Sequence, residues 1–165
     1  NEGMAGVFVF MGNHSTSSKA IVIGDGMAYR LPAKWMLHEF NTSSAFRQLF
    51  LQYMHILMTN ASQLAVCNRR HTIDQQLCRT LLLQLDRVAG FELTLTHDLI
   101  SRSMGVRREG VSEAAKRLER MGAITYSRGH IQVLDRGLLL QKSCECYNII
   151  IQEQHKLLPQ EYQAA

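Results

Sequence analysis

The chain has 165 residues and a mass of 18.8 kDa, with 46% apolar and 19% charged residues. That balance excludes a disordered polymer, and the length fits one ordinary domain or two small ones. No stretch approaches the roughly eighteen consecutive apolar residues of a membrane span. The net charge of +4 is unevenly placed: residues 1–66 carry +1, residues 67–136 carry +4 and residues 137–165 carry −1. A basic excess confined to the middle of the chain points to that segment as the place to look for a nucleic-acid partner.

Residues 1–33 read as two or three β-strands. Val7 to Met11 is a short apolar run between Gly6 and Gly12, His14 to Ser18 is a polar loop, and Ala20-Ile21-Val22-Ile23 is a second run. Gly24-Asp25-Gly26 then makes a turn before Met27 to Leu31. From Pro32 a short helix extends to Phe40, with Trp35, the only tryptophan, expected in the core. Asn41 to Ser44 supplies N-cap chemistry for a longer helix from about Ala45 to Val66. On it Phe46, Leu49, Tyr53, Ile56 and Asn60 recur at spacings of three and four. Such a stripe packs either on the chain's own strands or on a second copy of the helix, where Asn60 suits a register-setting amide.

A third helix spans Ile73 to Val88 and ends at Gly90, and Phe91 to Leu95 is extended. Thr96 then caps a short helix from His97 to Met104. Gly105 allows a sharp turn, Val106 fills the angle, and Arg107 to Met121 forms the next helix, stopped by Gly122. Two alternating runs, Ala123 to Ser127 and Ile131 to Asp135, flank Arg128-Gly129-His130 as a hairpin. Helix, turn, helix and hairpin together make a winged helix. Arg108, Glu109, Ser112 and Glu113 are placed to read base edges, since arginine binds guanine bidentately and a carboxylate accepts from cytosine. Thr96, His97, Arg107, Lys116, Arg128 and His130 are placed for phosphates, which fix register without reading sequence.

These motifs carry a resemblance. The stretches Ala65-Val66-Cys67-Asn68-Arg69, Leu95 to Ile100, Met104 to Arg108, Leu118 to Ile124 and Ser143-Cys144-Glu145-Cys146-Tyr147 closely resemble the Crp/Fnr superfamily of bacterial transcription regulators. The resemblance covers about Ala45 to Tyr147, and more faintly makes residues 1–33 the last strands of that family's cyclic-nucleotide-binding-like barrel. It implies an α+β chain in four parts: a partial β-barrel remnant over residues 1–40, a dimerisation helix over 41–67, a winged-helix DNA-binding domain over 68–147 and an extension over 148–165. It further implies a cytoplasmic homodimer joined through Phe46, Leu49, Tyr53, Ile56 and Asn60, which regulates transcription by binding a two-fold site on double-stranded DNA. RNA polymerase is a further implied partner, and a membrane is not.

In that family an Arg-Glu pair opening the second helix reads bases, which here is Arg108-Glu109. Where the family often has arginine one turn later stands Glu113, so the operator sequence is expected to differ. Glu2-Gly3 matches the start of the family's nucleotide cassette, but residues 16–20 hold Lys19 in place of the phosphate-binding arginine, which argues against a cyclic nucleotide. The beginning at Asn1, without methionine or cap, reads as a fragment or processed product lacking a front half.

Other chemistries fit less well. The four cysteines, Cys67, Cys78, Cys144 and Cys146, are too sparse for a disulfide-stapled domain and are expected as reduced thiols. Cys144-x-Cys146 has the look of half a metal site that Cys67, Cys78 or His71 would complete, or of a redox-sensing pair. Zinc motifs more often pair two Cys-x2-Cys units or add histidines, so neither a metal nor another cofactor is expected. No nucleophile elbow, phosphate loop or metalloprotease motif appears, which argues against an enzyme. The remaining alternative is a dimeric sensor or adaptor whose winged helix contacts protein.

Overall fold

The computed structural model describes residues 3–12, 15–16, 19–22, 24 and 26–156. They fall into two compact units, residues 1–60 with 152–165, and residues 61–151. Two helices run from one unit into the other, α2 (Ser44–Arg70) and α7 (Cys146–His155).

Among the described residues of the first unit the expected strands do not form. Val7–Met11 is a short 3-10 helix, and the described residues from Ser15 to Leu31 are neither strand nor helix. A strand needs a neighbouring edge for its N–H and C=O groups, and among the described residues none lies beside this segment. His14, Ser17, Ser18, Ile23 and Asp25 of the expected loop, strand and turn, and Glu2 of the nucleotide cassette, lie outside the described residues. The apolar run packs as side chains instead: Val7, Phe50 and Met54 are buried, with Met4, Phe10, Phe40, Tyr53 and Leu57 around them. The rings of Phe10 and Phe50 meet at a tilt, centroids 4.0 Å apart, and Phe50 meets Phe40 edge-on. The Tyr53 hydroxyl accepts from the Met4 N–H at 2.9 Å and donates to the Met4 carbonyl.

Helix α1 (Ala33–Thr42) buries no residue, so Trp35 is exposed with the Lys34 ammonium over its ring rather than in the core. Ser43 separates α1 from α2, and its Oγ accepts from the Phe46 N–H at 3.2 Å, the cap expected in this stretch.

The second unit has one core. Helix α3 (Ile73–Leu85) starts with a reciprocal capping box between Thr72 and Gln75 and supplies Leu77, Leu81, Leu82 and Leu85. Against it pack Ile100 and Met104 of α4 (His97–Met104) and Val111, Ala114, Ala115 and Leu118 of α5 (Arg108–Arg120). Strands β1 (Glu92–Thr94), β2 (Ile124–Ser127) and β3 (His130–Val133) form an antiparallel sheet in the order β1-β3-β2, burying Leu93, Ile124, Ile131 and Val133.

Two helices follow that the sequence reading did not anticipate, α6 (Arg136–Lys142) and α7. Asp135 caps α6 by accepting from the Leu138 N–H at 2.8 Å. Arg136 donates to Asp86 at 2.8 Å and to the Tyr147 hydroxyl at 2.9 Å, and that hydroxyl donates to Asp86 at 2.9 Å. The triad joins the end of α3 to the starts of α6 and α7. Burial, then the Asp86 carboxylate, raises the Tyr147 pKa and keeps its proton in the triad.

Truncation of α3 tests where stability resides. Leu81, fully buried, should lose about 2–5 kcal/mol as Leu81→Ala, whereas exposed Leu134 should lose under about 0.5 kcal/mol as Leu134→Ala. Urea unfolding followed by circular dichroism reads both.

Candidate nucleic-acid interface

Helix α4 begins and ends where its sequence directs. Thr96 Oγ1 accepts from the Leu99 N–H at 3.2 Å, and Gly105 takes a left-handed φ of 68° that turns the chain into α5. Val106 is half-buried beside the core, as its position between two helices requires. The inner face of α5 is small or branched, and Gly110 is where the approach is closest. A Cβ there would stand 2.8 Å from Ile73 Cδ1.

The opposite face of α5 carries Arg108, Glu109, Glu113, Lys116 and Arg120, with Glu109–Glu113 and Lys116–Arg120 each about one turn apart. Arg108, Lys116 and Arg120, with Arg107 just before the helix, are exposed and have no ion-pair partner among the described residues. The carboxylates behave differently from one another. Glu113 lies 3.9 Å from Arg117, which is itself held bidentately by Asp74 with one bond of 2.8 Å. Glu119 accepts from the Tyr126 N–H at 3.2 Å. Glu109 alone of the three has no hydrogen bond or ion pair among the described residues, which leaves it open as an acceptor. Arg120 was not singled out by the sequence reading, although its place four residues after Lys116 puts it on the same face.

Two residues assigned to DNA from sequence face inward instead. His97 Nδ1 lies 2.9 Å from Ser112 Oγ, and its ring stacks at 3.9 Å on Tyr126. Ser112 Oγ donates to the Arg108 carbonyl at 3.1 Å, so it accepts from Nδ1–H, and His97 Nε2 is buried without a partner. This histidine ties α4, α5 and β2 together rather than standing free for a phosphate, and Ser112 is half-buried in the same contact. Burial, then the Arg108 charge, lowers the His97 pKa.

The hairpin closes through a two-residue turn in which Arg128 has φ 48° and Gly129 φ 88°. Both central residues are left-handed, the turn type that matches strand twist, and the Arg128 side chain is exposed at its tip. A Cβ on Gly129 would lie 3.3 Å from Thr96 Cγ2, so the turn sits against the start of α4. Thr96, Arg107 and Arg128 are exposed as expected of phosphate contacts. His130 is exposed too, but its Nδ1 is 3.2 Å from Glu92 across the sheet.

Of the five residues expected at a helix pair, only Leu49 is exposed. Phe46 and Tyr53 meet the amino-terminal segment, Ile56 is buried, and Asn60 Oδ1 is buried without a partner. Leu51 and Met58, seven residues apart and therefore on one side of α2, are exposed. Among the cysteines the structure brings Cys67, Cys144 and Cys146 together with His71 and leaves Cys78 in the leucine core, where burial pushes its thiol up to about 12.

The geometry defines a winged-helix domain with a basic outer helix and an exposed basic turn. Residues 75–142 match the Crp-like helix-turn-helix domain. Solved structures share the fold: a Crp/Fnr-family regulator from Eubacterium rectale (22% identity, TM-score 0.55, 67% of this chain and 51% of that one), a CRP/FNR-family regulator from Thermus thermophilus (23%, 0.51, 56% and 51%), and FixK2 from Bradyrhizobium japonicum (16%, 0.59, 68% and 59%). No curated protein matches the chain. The chain thus carries a Crp-like helix-turn-helix domain and has the fold of Crp/Fnr transcription regulators, and it spans a little over half the length of those structures. No helix among the described residues is long and apolar enough to cross a membrane.

Because the folded state resists protonating His97, its contribution to stability is complete above about pH 6.5 and is lost as pH falls toward the lowered value. The urea midpoint should therefore drop on acidification below about pH 6.5. His97→Phe, which keeps a ring against Tyr126, should remove that part of the slope, and an unchanged slope would assign it to another group.

Proposed function

We propose that the protein is a sequence-specific transcription regulator that binds a two-fold operator in double-stranded DNA as a homodimer, and is not an enzyme. The carrying observation is the outer face of α5, where Arg108, Lys116 and Arg120 stand unpaired beside the free carboxylate of Glu109. With α5 in a major groove, Arg108 reads guanine and Glu109 accepts from cytosine. Arg107, Lys116, Arg120 and Arg128, with the Thr96 hydroxyl, hold phosphates on either side. Glu113 stays with Arg117, so its carboxylate is turned from the backbone by a partner of its own.

A two-fold operator needs two linked reading helices. Leu51 and Met58 give α2 an exposed apolar seam at heptad spacing, and Leu49 is exposed on the same helix. The second copy of α2 is the partner this reading assigns to the seam. Contact with RNA polymerase, and work in a cytoplasm, follow from the same reading.

DNA selected from a random pool and titrated by fluorescence anisotropy tests it. Selected sites should contain two-fold related half-sites, and affinity should fall steeply with salt. Arg108→Ala should lose about 1–3 kcal/mol of discrimination at one position of each half-site, whereas Arg128→Ala should weaken all sequences alike. Recovery of no preferred sequence would overturn the assignment. Leu51→Glu with Met58→Glu should convert a dimer to a monomer in light scattering.

A further inference from the structure

The last turn of α2 and the start of α7 bring together four side chains with no part in reading DNA. Cys67 lies in the last turn of α2 and His71 just beyond its end, its N–H donating to the Cys67 carbonyl at 3.0 Å, while Cys144 precedes α7 and Cys146 opens it. Cys67 Sγ is 3.5 Å from Cys144 Sγ, and Cys146 Sγ is 3.5 Å from His71 Nδ1. All four donor atoms lie within 4.8 Å of one another, and the three cysteines are buried apart from the leucine core. We propose that Cys67, His71 Nδ1, Cys144 and Cys146 form a closed structural site for a tetrahedral, thiolate-seeking divalent cation, zinc above all.

Three independent features support it. The first is size. Zinc–sulfur bonds of about 2.3 Å in a tetrahedron place sulfurs about 3.8 Å apart, and a ligand nitrogen about 3.6 Å from sulfur. The Cys67–Cys144 and Cys146–His71 pairs, at 3.5 Å, are already near this spacing, and no pair exceeds it by more than about 1 Å. A disulfide needs sulfurs at about 2.05 Å and would use two of the four groups, leaving His71 Nδ1 and the third thiol unexplained.

The second is the surrounding shell. His71 Nε2 lies 3.2 Å from Glu145 Oε1, so with Nε2–H donating to the carboxylate the Nδ1 lone pair faces the sulfurs. Gln63 Nε2 donates to Cys146 Sγ at 3.0 Å, a hydrogen bond to a donor sulfur that holds its position.

The third is charge. Arg79 is 2% exposed, yet its Nε and Nη1 have no hydrogen-bond partner. Its charge acts on Cys67, one of the four donors. A buried guanidinium without a counter-charge is costly. Three thiolates and a neutral imidazole around a divalent cation leave one net negative charge, which Arg79 balances. With four protein donors and no open position, the site's role is to hold structure rather than to catalyse. It fastens the end of α2 to the segment that follows α6.

Cobalt titration of the full chain, purified under reducing conditions and stripped by chelator, tests the proposal. One cobalt per chain should bind with the strong visible absorption of a tetrahedral site and a near-ultraviolet thiolate charge-transfer band, and one equivalent of zinc should displace it. Cys78→Ala should retain the full spectrum, since Cys78 lies in the core away from the cluster. Cys146→Ala should weaken the charge-transfer band, and Glu145→Gln should lower zinc affinity about 10–100-fold while keeping the four donors. Weak octahedral absorption, or a wild-type spectrum without thiolate charge transfer, would overturn the site whether or not the variants fold. So would a Cys146→Ala spectrum equal to that of the wild type.

Discussion

The close packing of α5 on α3 is the constraint from which the rest of the reading domain follows. Val111, Ala114, Ala115 and Leu118 present a compact inner face, and Gly110 comes so close to Ile73 that a Cβ would displace Ile73 Cδ1. A helix held this closely on one side has no rotational freedom about its axis. The side chains on the other side, from Arg108 to Arg120, are therefore aimed as a set. Asp74 adds direction at the outer edge by gripping Arg117 with both oxygens, which also settles where Glu113 goes.

His97 shows why a polar residue at the foot of such a domain need not be a ligand. Its position, one residue after a helix cap and next to a reading helix, is where a phosphate contact would be expected. Stacking on Tyr126 and pairing with Ser112 instead make it a strut among three elements. The lowered pKa fits this role, because a neutral ring can be buried at less cost than a cation and keeps one N–H for Ser112. Direct contacts with DNA then rest on groups the fold leaves unpaired. Their distribution is informative, since Arg107, Arg108, Lys116 and Arg120 line one helix while Arg128 stands alone on the turn.

Much of this was legible in the sequence, for reasons that can be named. The winged helix was readable because each local signal agreed with the next: the Thr96 cap, the Gly105 turn, the two-faced α5 and the hairpin at Arg128-Gly129. The α4 boundaries came out to the residue because cap and glycine both act locally. The strands expected before Pro32 failed for the opposite reason. Alternating apolar residues specify a strand only when an edge is present to pair with, and pairing is a property of distant residues. Helices α6 and α7 were missed because their support is tertiary, in the Asp86-Arg136-Tyr147 triad and the burial of Leu139 and Ile150. His97 and Ser112 could not be seen as a pair from periodicity, since they sit on different helices. Arg120 could have been, by carrying the helical face one turn further.

The cysteine cluster marks the limit of spacing rules most clearly. A metal motif read along the chain looks for two donors on one tight turn, and Cys144-x-Cys146 is too short for the common pattern. The fold supplies the second pair from another element, the end of α2, where Cys67 and His71 just past the helix are one turn apart and converge without any loop motif. What makes the cluster more than coincidence is the charge beside it. Arg79 sits in α3 among leucines with two of its nitrogens unpaired, in a domain where Asp74, Asp86 and Glu119 have each found partners. A buried cation of this kind wants a counter-charge, and thiolates gathered around a metal beside Cys67 would supply one.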